Sequence, residues 1–175
     1  KPEATFVFQP GGMGINFVKQ WHQSGMDQVS NLYTVFTVDN LSLPALKDTA
    51  LGVISTQTWS PDMDNEMNKR FVADYKAQFG GYPSFYAAQA YDTMMAIDHA
   101  VAKAGGTDTD AMRAALAAGG IPTTRGSLAM NTNQFPIQNV YIREAVLDAD
   151  GVATTKITGT VFENHADVYA KDCSF

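Results

Sequence analysis

Residues 5–21 read Thr-Phe-Val-Phe-Gln-Pro-Gly-Gly-Met-Gly-Ile-Asn-Phe-Val-Lys-Gln-Trp, which is a β-rich run, a glycine turn and a helical pattern in direct succession. After the turn, Ile15, Val18 and Trp21 recur at the spacing of one helix face. The further elements predicted in this half are strand Leu32–Val38, helix Leu43–Thr49 and strand Leu51–Thr58. Strands that alternate with helical segments are typical of βαβ units, so the sequence predicts an α/β fold with a parallel sheet.

The second half of the chain passes from helical to β character. Met67, Phe71, Tyr75 and Phe79 form an apolar i, i+4 series that predicts one helix, and a longer helix is predicted over residues 84–104. The strands predicted beyond it are Arg125–Met130, Asn139–Leu147 and Thr154–Phe162, with a hairpin turn at Asp148–Gly151. The chain is therefore expected to end in a C-terminal β-hairpin region.

The predicted helix 84–104 carries apolar side chains around nearly its whole circumference. A helix of this kind is buried on several sides, and the strands of this chain are too few to cover it. We therefore expect its packing partner in sequence outside the chain. The opening Lys1-Pro2-Glu3 leads straight into a strand without an initiator Met, which favours a polypeptide entered in mid-domain. Exposed apolar surface on this helix predicts dimerisation or strand exchange.

The composition excludes several classes of protein. Net charge is −6 and the 12 Lys and Arg residues are scattered, so no nucleic-acid surface is expected. No apolar run approaches the roughly 20 residues that a membrane-spanning helix needs. The single cysteine, Cys173, cannot form an internal disulfide. It is either a near-terminal thiol without a role or half of a disulfide whose partner lies outside this sequence.

Patterns typical of catalytic and metal sites are missing from the sequence. His22, His99 and His165 lie in separate segments, and none has the i, i+4 partner of a zinc motif. There is no Gly-x-Ser-x-Gly nucleophile elbow, and the one cysteine has no placed base. We expect no metal, no cofactor and no enzymatic activity.

Two acidic pairs, Asp62/Asp64 and Asp108/Asp110, precede predicted helices. Carboxylates at a helix start accept hydrogen bonds from free N–H groups and complement the helix dipole, so capping explains both pairs better than catalysis. The expected caps are Asp62 or Asp64 for the first helix and Thr107 or Thr109 for the short helix after residue 106.

The Gly11–Gly14 turn between strand and helix also allows a nucleotide-binding interpretation. Backbone N–H groups there can hold an anion, and Asp39 ends the following strand, where a ribose-binding acid would lie. The third glycine of the dinucleotide fingerprint, however, would fall at Phe17, whose ring blocks close helix–sheet contact. A nucleotide-dependent enzyme stays an alternative, and a carboxylate-binding or structural turn is favoured.

The carboxyl ends of the predicted parallel strands mark the expected binding crevice. These ends are Gln9–Gly14, Phe36–Asn40 and Thr58–Pro61. Phe36 and Trp59 stand at two of them, and Tyr86 stands at the start of the long helix. These aromatic side chains are suited either to line a pocket for a flat or apolar ligand or to plug the end of the core, and the sequence leaves both open.

Three groups of residues carry a family resemblance. They are Pro2–Met26; Ala50–Val53 with Trp59–Pro61, Phe71, Tyr75, Phe79-Gly80, Pro83-Ser84 and Tyr91-Asp92; and Thr124–Leu128 with Pro136–Glu144, Asp167–Tyr169 and Cys173. In order and spacing they resemble the branched-chain amino-acid binding protein family, also called type I periplasmic binding proteins, which are the substrate-binding components of ABC transporters. The likeness covers nearly the whole chain and points to a C-terminal fragment.

The resemblance implies a two-lobe α/β architecture of which this chain holds an incomplete, parallel-sheet lobe. Residues 1–82 would belong to the C-lobe and residues 83–137 to the N-lobe. Residues 138–175 would recross the hinge as strands and end in the C-lobe tail. The helix 84–104 would then pack on N-lobe strands that precede this chain.

The family's ligand site implies contact residues by position. They are Gln9, Pro10, Gly11, Phe36, Thr37, Trp59 and Ser60 from the C-lobe, with Tyr86 and Gln89 from the hinge side. Some members place an acidic residue after the second C-lobe strand to hold an α-ammonium group. Here Phe36 or Thr37 stands at that position, which favours an aromatic or other small acid over a standard amino acid.

The resemblance also implies a place and partners for the protein. It would be periplasmic, exported with a signal peptide, and would bind a small organic acid or amino acid of the aromatic or branched-chain type for an ABC transporter. Its partners would be that ligand, the transporter permease and the missing N-terminal portion of the same protein. A ligand-sensing receptor domain of the same fold stays an alternative.

Overall fold

The computed structural model describes residues 2–173 of the chain. Its elements are β1 (Ala4–Val7), α1 (Gly12–Gln23), β2 (Asn31–Val35), α2 (Leu43–Leu46), β3 (Ile54–Gln57), α3 (Glu66–Phe79), α4 (Phe85–Ala104), α5 (Thr109–Ala117), β4 (Ile121–Thr123), β5 (Gly126–Met130), β6 (Pro136–Leu147) and β7 (Ala153–His165). Short 3-10 helices lie at Met26–Gln28, Lys47–Ala50 and Ala170–Asp172. The α/β fold class predicted from the sequence is confirmed.

One sheet of mixed direction organises these elements in the order β1-β2-β3-β6-β5-β4, with β7 paired to β6. Strands β1, β2 and β3 are parallel, as the βαβ pattern predicts, and the other pairings are antiparallel. Strand β6 changes partner along its length, because residues 136–137 pair with β5 and residues 141–144 pair with β3. It therefore joins the β1–β3 sheet to the β4–β5 hairpin.

The backbone ends two predicted elements earlier than the sequence pattern suggests. Strand β2 stops at Val35 because Phe36 has a φ of 54°, in the left-handed region that interrupts an extended strand. The predicted helix Leu43–Thr49 is divided in the same way. Lys47 has a φ of 49°, so α2 ends at Leu46 and a 3-10 turn follows.

The predicted caps of two helices are wrong by one to three residues. Asn65, whose side chain accepts a hydrogen bond from the Asn68 N–H, caps α3 in place of Asp62 or Asp64. Asp108 caps α5 in place of Thr107 or Thr109, by accepting from the Ala111 N–H at 2.9 Å, so the capping role predicted for the Asp108/Asp110 pair is confirmed for Asp108. Amide and carboxylate caps both satisfy free N–H groups, so the residue type alone does not fix the register of a helix start.

Two apolar clusters form the core. The first packs α1 and the residues around α2 on the sheet through Val7, Val18, Leu32, Val38, Leu43, Leu46, Ala50, Val53 and Ala145. The second lies between α3, the start of α4 and the β3–α3 loop, and contains Trp59, Met63, Phe71, Phe85 and Ala88.

Two apolar surfaces are left open. Helix α4 buries only Phe85, Ala88, Asp92 and Ala100, while Met94 is 63% exposed and Ile97 is 44% exposed. The strands of this chain therefore do not cover the helix. On the sheet, Phe6 and Tyr33 stand opposite each other in the β1–β2 register and are both exposed. Dimerisation or strand exchange through such surfaces stays a prediction.

Candidate ligand-binding crevice

The carboxyl ends of β1 and β2 are tied together by Thr37. Its hydroxyl accepts a 3.0 Å hydrogen bond from the Gln9 N–H and donates one of 3.1 Å to the Val35 carbonyl. The side chain is 1% exposed. Thr37 therefore fixes the loop after β1 against the loop after β2, and the loop segment Gln9–Gly11 lies at the surface.

Four aromatic side chains, here called the aromatic wall, line this end of the sheet: Phe8, Phe36, Phe85 and Tyr86. Phe36 meets Phe8 edge-to-face at a centroid distance of 5.9 Å and meets Phe85 at 5.4 Å, and Phe85 meets Tyr86 at 5.8 Å. These are favourable aromatic geometries. Phe8 is 59% exposed and Tyr86 is 43% exposed, so the wall has open ring surface at both ends.

Phe8 is a crevice residue that sequence reasoning missed. In the sequence Phe8 belongs to the β-rich run before the glycine turn, where alternation does not reveal whether a side chain enters the core. Strand β1 stops at Val7, so Phe8 falls in the loop at the carboxyl end of the strand. An aromatic residue directly before a strand-to-helix turn is the signal that could have indicated it.

The start of α1 contributes backbone N–H groups to the crevice. The first helical hydrogen bond runs from the Ile15 N–H to the Gly11 carbonyl, and no side chain caps the helix. The N–H groups of the first turn have no helical acceptors and can bind an anion. Gly14 permits the close approach of this turn, because a Cβ there would lie 1.9 Å from the Gln9 carbonyl oxygen.

Trp59 and Ser60 lie behind the crevice surface. Trp59 is 1% exposed and its indole N–H donates to Asn68 at 2.8 Å, while Ser60 is fully buried and its hydroxyl donates to the Thr155 carbonyl at 3.3 Å. Both side chains pack in the interior. For Trp59, of the two roles left open by the sequence, this is the role of plugging the end of the core. The prediction that they contact ligand stays a prediction.

Two buried charged groups, Asp39 and Arg143, lie beneath the same region. Burial raises the pKa of Asp39 above its usual value. Hydrogen bonds from backbone N–H groups and the positive charge of Arg143 act in the opposite direction and are outweighed. Burial lowers the pKa of Arg143 to about 10, and the negative charges of Asp39 and Asp62 only partly offset this effect. Arg143 donates to the Trp59 carbonyl at 3.1 Å and to the Ser55 hydroxyl at 3.2 Å. These groups support the crevice from below.

The geometry of Asp39 does not favour a nucleotide site. Its carboxylate accepts from the Leu41 N–H at 2.9 Å and from the Ser42 N–H at 3.4 Å, and the residue is 5% exposed. A ribose-binding acid must present its oxygens to the ligand. Asp39 instead caps the turn that follows β2.

Gln89 lies on a different opening from Phe36. Together with Thr93, Arg113, Ile121 and Leu128 it lines a groove of about 1000 Å³ between α4, α5 and the β4–β5 hairpin. This groove is the open flank of α4. The structure thus places Gln89 in this groove, three residues after Tyr86 on α4, and its predicted contact with ligand stays a prediction.

The histidines occupy separate positions in the fold. His22 contacts Asp27 at 2.7 Å, and the His165 ring lies tilted against Phe162 at a centroid distance of 5.0 Å. Within residues 2–173, no three His, Cys, Asp or Glu residues are grouped as a metal ion would require. None of the helices in that range is long and apolar enough to cross a membrane.

An aromatic wall beside free helix-start N–H groups, at the carboxyl ends of parallel strands, is typical of a protein that binds a small molecule. Residues 1–151 match the family model described as Periplasmic binding protein. The chain belongs to this family, which confirms the resemblance seen in the sequence. The family consists of extracytoplasmic binding proteins.

Known relatives agree with this membership. Leu/Ile/Val-binding protein homolog 6 of Brucella melitensis is 30% identical over 94% of this chain, and the match covers 44% of that protein. The solute-binding protein of an ABC transporter from Rhodopseudomonas palustris BisB5, solved with 3,4-dihydroxybenzoic acid, is 32% identical with a TM-score of 0.83, covering 95% of this chain and 46% of that one. A protein of the same kind from R. palustris HaA2, solved with p-hydroxybenzoic acid, is 25% identical with a TM-score of 0.81, covering 95% and 46%. The chain therefore spans less than half the length of these relatives.

Proposed function

We propose that the protein binds a small organic acid or amino acid, of the aromatic or branched-chain type, in the periplasm and delivers it unchanged to an ABC transporter permease. The aromatic wall is the observation that carries this proposal. Exposed rings at the carboxyl ends of parallel strands, with N–H groups beside them, suit a ligand that has an apolar body and one anionic group.

The crevice suggests how each part of such a ligand is held. Its ring or branched chain packs on Phe8, Phe36 and Tyr86, where an aromatic pair contributes about 0.5–1.5 kcal/mol beyond area burial. Its carboxylate lies near the α1 start at Gly11, where the helix dipole contributes about 0.3–1 kcal/mol. Gln9 supplies a neutral side chain for a ring substituent. The two relatives solved with hydroxylated benzoic acids make this class the first to test.

Two lobes are proposed for the complete protein, with residues 1–82 in the C-lobe, 83–137 in the N-lobe and 138–175 recrossing the hinge. The change of partner along β6 supports this division, as does the mutual packing of α4, α5, β4 and β5. Asn40 stabilises the region near residue 83 where the chain is proposed to pass from the C-lobe to the N-lobe. Its side chain donates to the Pro83 carbonyl and accepts from Thr154 on β7.

The open surfaces of this chain support a further partner, the remaining portion of a longer polypeptide of the same family. The relatives are more than twice as long as this chain. The open flank of α4 and the exposed Phe6–Tyr33 face of the sheet are suited to packing of further strands and helices.

Thermal-shift screening of the longer gene product that contains this chain tests the proposal. The panel is benzoate, 4-hydroxybenzoate, 3,4-dihydroxybenzoate, leucine, isoleucine, valine, NAD and ATP. We expect the melting temperature to rise with an aromatic or branched-chain acid, because ligand binding stabilises the folded state by mass action. A rise only with NAD or ATP contradicts transport and supports the nucleotide alternative.

A matched pair of variants locates the binding site. Phe8→Ala removes one end of the aromatic wall, and we expect about fivefold weaker ligand binding, equivalent to about 1 kcal/mol. Phe79→Ala is the control, since Phe79 is equally exposed but lies at the far end of α3. Equal calorimetric affinities for the two variants would place the ligand elsewhere.

A further inference from the structure

A hydrogen-bonded network lies where the two parts of the sheet meet. The carboxylate of Asp92 on α4 is 4% exposed and accepts from the Thr124 N–H at 2.6 Å, the Thr124 hydroxyl at 3.1 Å and Arg125 Nε at 3.0 Å. The Arg125 side chain is 10% exposed and donates from Nη1 to Gln138 Oε1. One guanidinium thus links α4 to β6 in a single plane.

The network continues to α3 at its other end. Asn65 donates from its side chain to the Thr124 carbonyl at 2.8 Å and caps α3 with its side-chain oxygen. We call Asn65, Asp92, Thr124, Arg125 and Gln138 the junction network. It connects α3, α4, the β4–β5 turn and β6 through side chains and through the backbone N–H and carbonyl of Thr124.

Gln138 occupies a particular place on β6. It lies between residues 136–137, which pair with β5, and residues 141–144, which pair with β3. A hinge motion at this point alters the angle between the β1–β3 sheet and the unit of α4, α5, β4 and β5. The Arg125–Gln138 hydrogen bond spans the point at which that angle is set.

Helix α4 connects this junction to the crevice. Tyr86 is six residues before Asp92 on the same helix, about 9 Å along its axis. A change in the tilt of α4 at Asp92 therefore moves Tyr86 relative to Phe8 and Phe36. Phe8 and Tyr86 are the two ends of the aromatic wall, and Phe36 lies between them.

We propose that Arg125 is a positioning residue which, through Asp92 and Gln138, fixes the tilt of α4 and so the width of the crevice. Arg125 acts at a distance from the ligand. The effect on ligand affinity rests on the proposed function, whereas the effect on geometry does not. A carboxylate with three donors and a guanidinium with two acceptors has one well-defined arrangement, so the network holds one tilt.

Gln138→Met tests the proposal with little change in volume. It removes the acceptor for Arg125 Nη1 and leaves the buried Asp92–Arg125 pair intact, so folding is retained. Gln78→Met, on the exposed face of α3, is the matched control. Spin labels at Asp98→Cys on α4 and Asn31→Cys on β2, in a Cys173→Ser background of the longer gene product, report the distance across the junction by pulsed electron resonance. Both label sites are exposed.

The proposal requires a broader or shifted distance distribution in Gln138→Met, with a melting temperature close to that of the Gln78→Met control. Ligand affinity is expected to fall on the order of tenfold, a usual size for coupling between separate sites. Unchanged distances overturn the proposal, whether affinity falls or not, because a fall alone would mean that Gln138 contacts ligand. If no ligand binds the parent protein, the proposed function fails and the distances still decide this proposal. Arg125→Lys, which keeps the charge but cannot donate in the same plane to both acceptors, must show the same broadening.

Discussion

Trp59 and Asn68 are joined by a 2.8 Å hydrogen bond from the indole N–H to the amide oxygen, and neither residue is more than 1% exposed. The Asn68 NH₂ group donates in turn to the carbonyls of Ser60, Pro61 and Met63. One amide side chain therefore organises the whole loop from β3 to α3. That loop forms the floor behind the crevice.

Asn68→Ala is expected to destabilise the protein by about 2–3 kcal/mol, because it leaves buried polar groups without partners. The Trp59 indole N–H and the Pro61 carbonyl lose their partner, while the Ser60 and Met63 carbonyls keep the hydrogen bonds from the Met63 and Asn65 N–H groups. Urea unfolding measures the loss. Gln78→Ala, at an exposed position of the same helix, is the control and should change stability by less than about 0.5 kcal/mol. Similar values for both variants would contradict the role given to Asn68.

Gly14→Ala and Gly12→Ala form a second comparison in the α1 turn. A Cβ at Gly14 would lie 1.9 Å from the Gln9 carbonyl oxygen and 2.8 Å from Thr37 Cγ2, whereas a Cβ at Gly12 meets nothing within 4 Å. We expect Gly14→Ala to cost on the order of 3 kcal/mol by overpacking. Gly12→Ala should be neutral or stabilising by up to about 1 kcal/mol, since alanine favours the helix. Equal stabilities in urea would show that the turn is not tightly packed.

Gly14 also shows how far the sequence could be interpreted. The strand–glycine–helix pattern correctly predicted a βαβ unit and a tight turn, because local propensities and the parallel sheet agree there. It could not distinguish a phosphate-binding turn from one shaped by packing. That distinction depends on the position of Gln9 and on Thr37, which bonds the Gln9 N–H and is 28 residues from Gln9 in sequence.

Other features escaped sequence reasoning because they depend on partners distant along the chain. Arg143 is fully buried and bonds the Trp59 carbonyl, 84 residues away, and no local pattern marks an arginine for the interior. The left-handed conformation of Phe36 opposes the preference of a bulky residue, so Leu32–Val38 was predicted as one strand. Asn65 caps α3 although Asp62 and Asp64 are equally suitable by residue type.

The conformation of Phe36 separates backbone strain from aromatic contact. Phe36→Ala removes the ring and keeps a Cβ at a φ of 54°, while Phe36→Gly removes both. We expect the glycine variant to be more stable than the alanine variant by about 1 kcal/mol in urea unfolding, because glycine adopts this region without penalty. Both should bind ligand more weakly than the parent protein. A less stable glycine variant would mean that the backbone is extended at this position.

The Tyr82–Asp148 hydrogen bond predicts a pH dependence of stability. The tyrosine hydroxyl donates to Asp148 at 2.8 Å. Hydrogen bonds from the Val152 N–H and then from Tyr82 hold the pKa of Asp148 below its usual 3.8. A lowered carboxylate pKa stabilises the folded state above pH 3.8, and this contribution is lost as pH falls below that value.

Asp148→Asn should therefore be less stable than the parent protein at pH 6, and the difference should narrow as the pH is lowered from 3.8. Chemical unfolding at several pH values measures it. Asp150→Asn, in the same β6–β7 turn, is the control for removal of one negative charge. A difference between Asp148→Asn and the parent protein that stays constant down to pH 2.5 would contradict the assigned pKa direction.

The open flank of α4 predicts self-association of this chain. Ile97 is 44% exposed and Met94 is 63% exposed beside the groove between α4, α5 and the β4–β5 hairpin, and grouped exposed apolar side chains favour association. We expect the mass measured by light scattering to rise with concentration and a hydrophobic dye to bind. Ile97→Lys should reduce both, whereas Ala102→Lys, an exposed site on the same helix with the same charge change, should have little effect. A parent chain that is monomeric at every concentration and binds little dye would contradict the prediction, because covered apolar surface neither associates nor takes up dye.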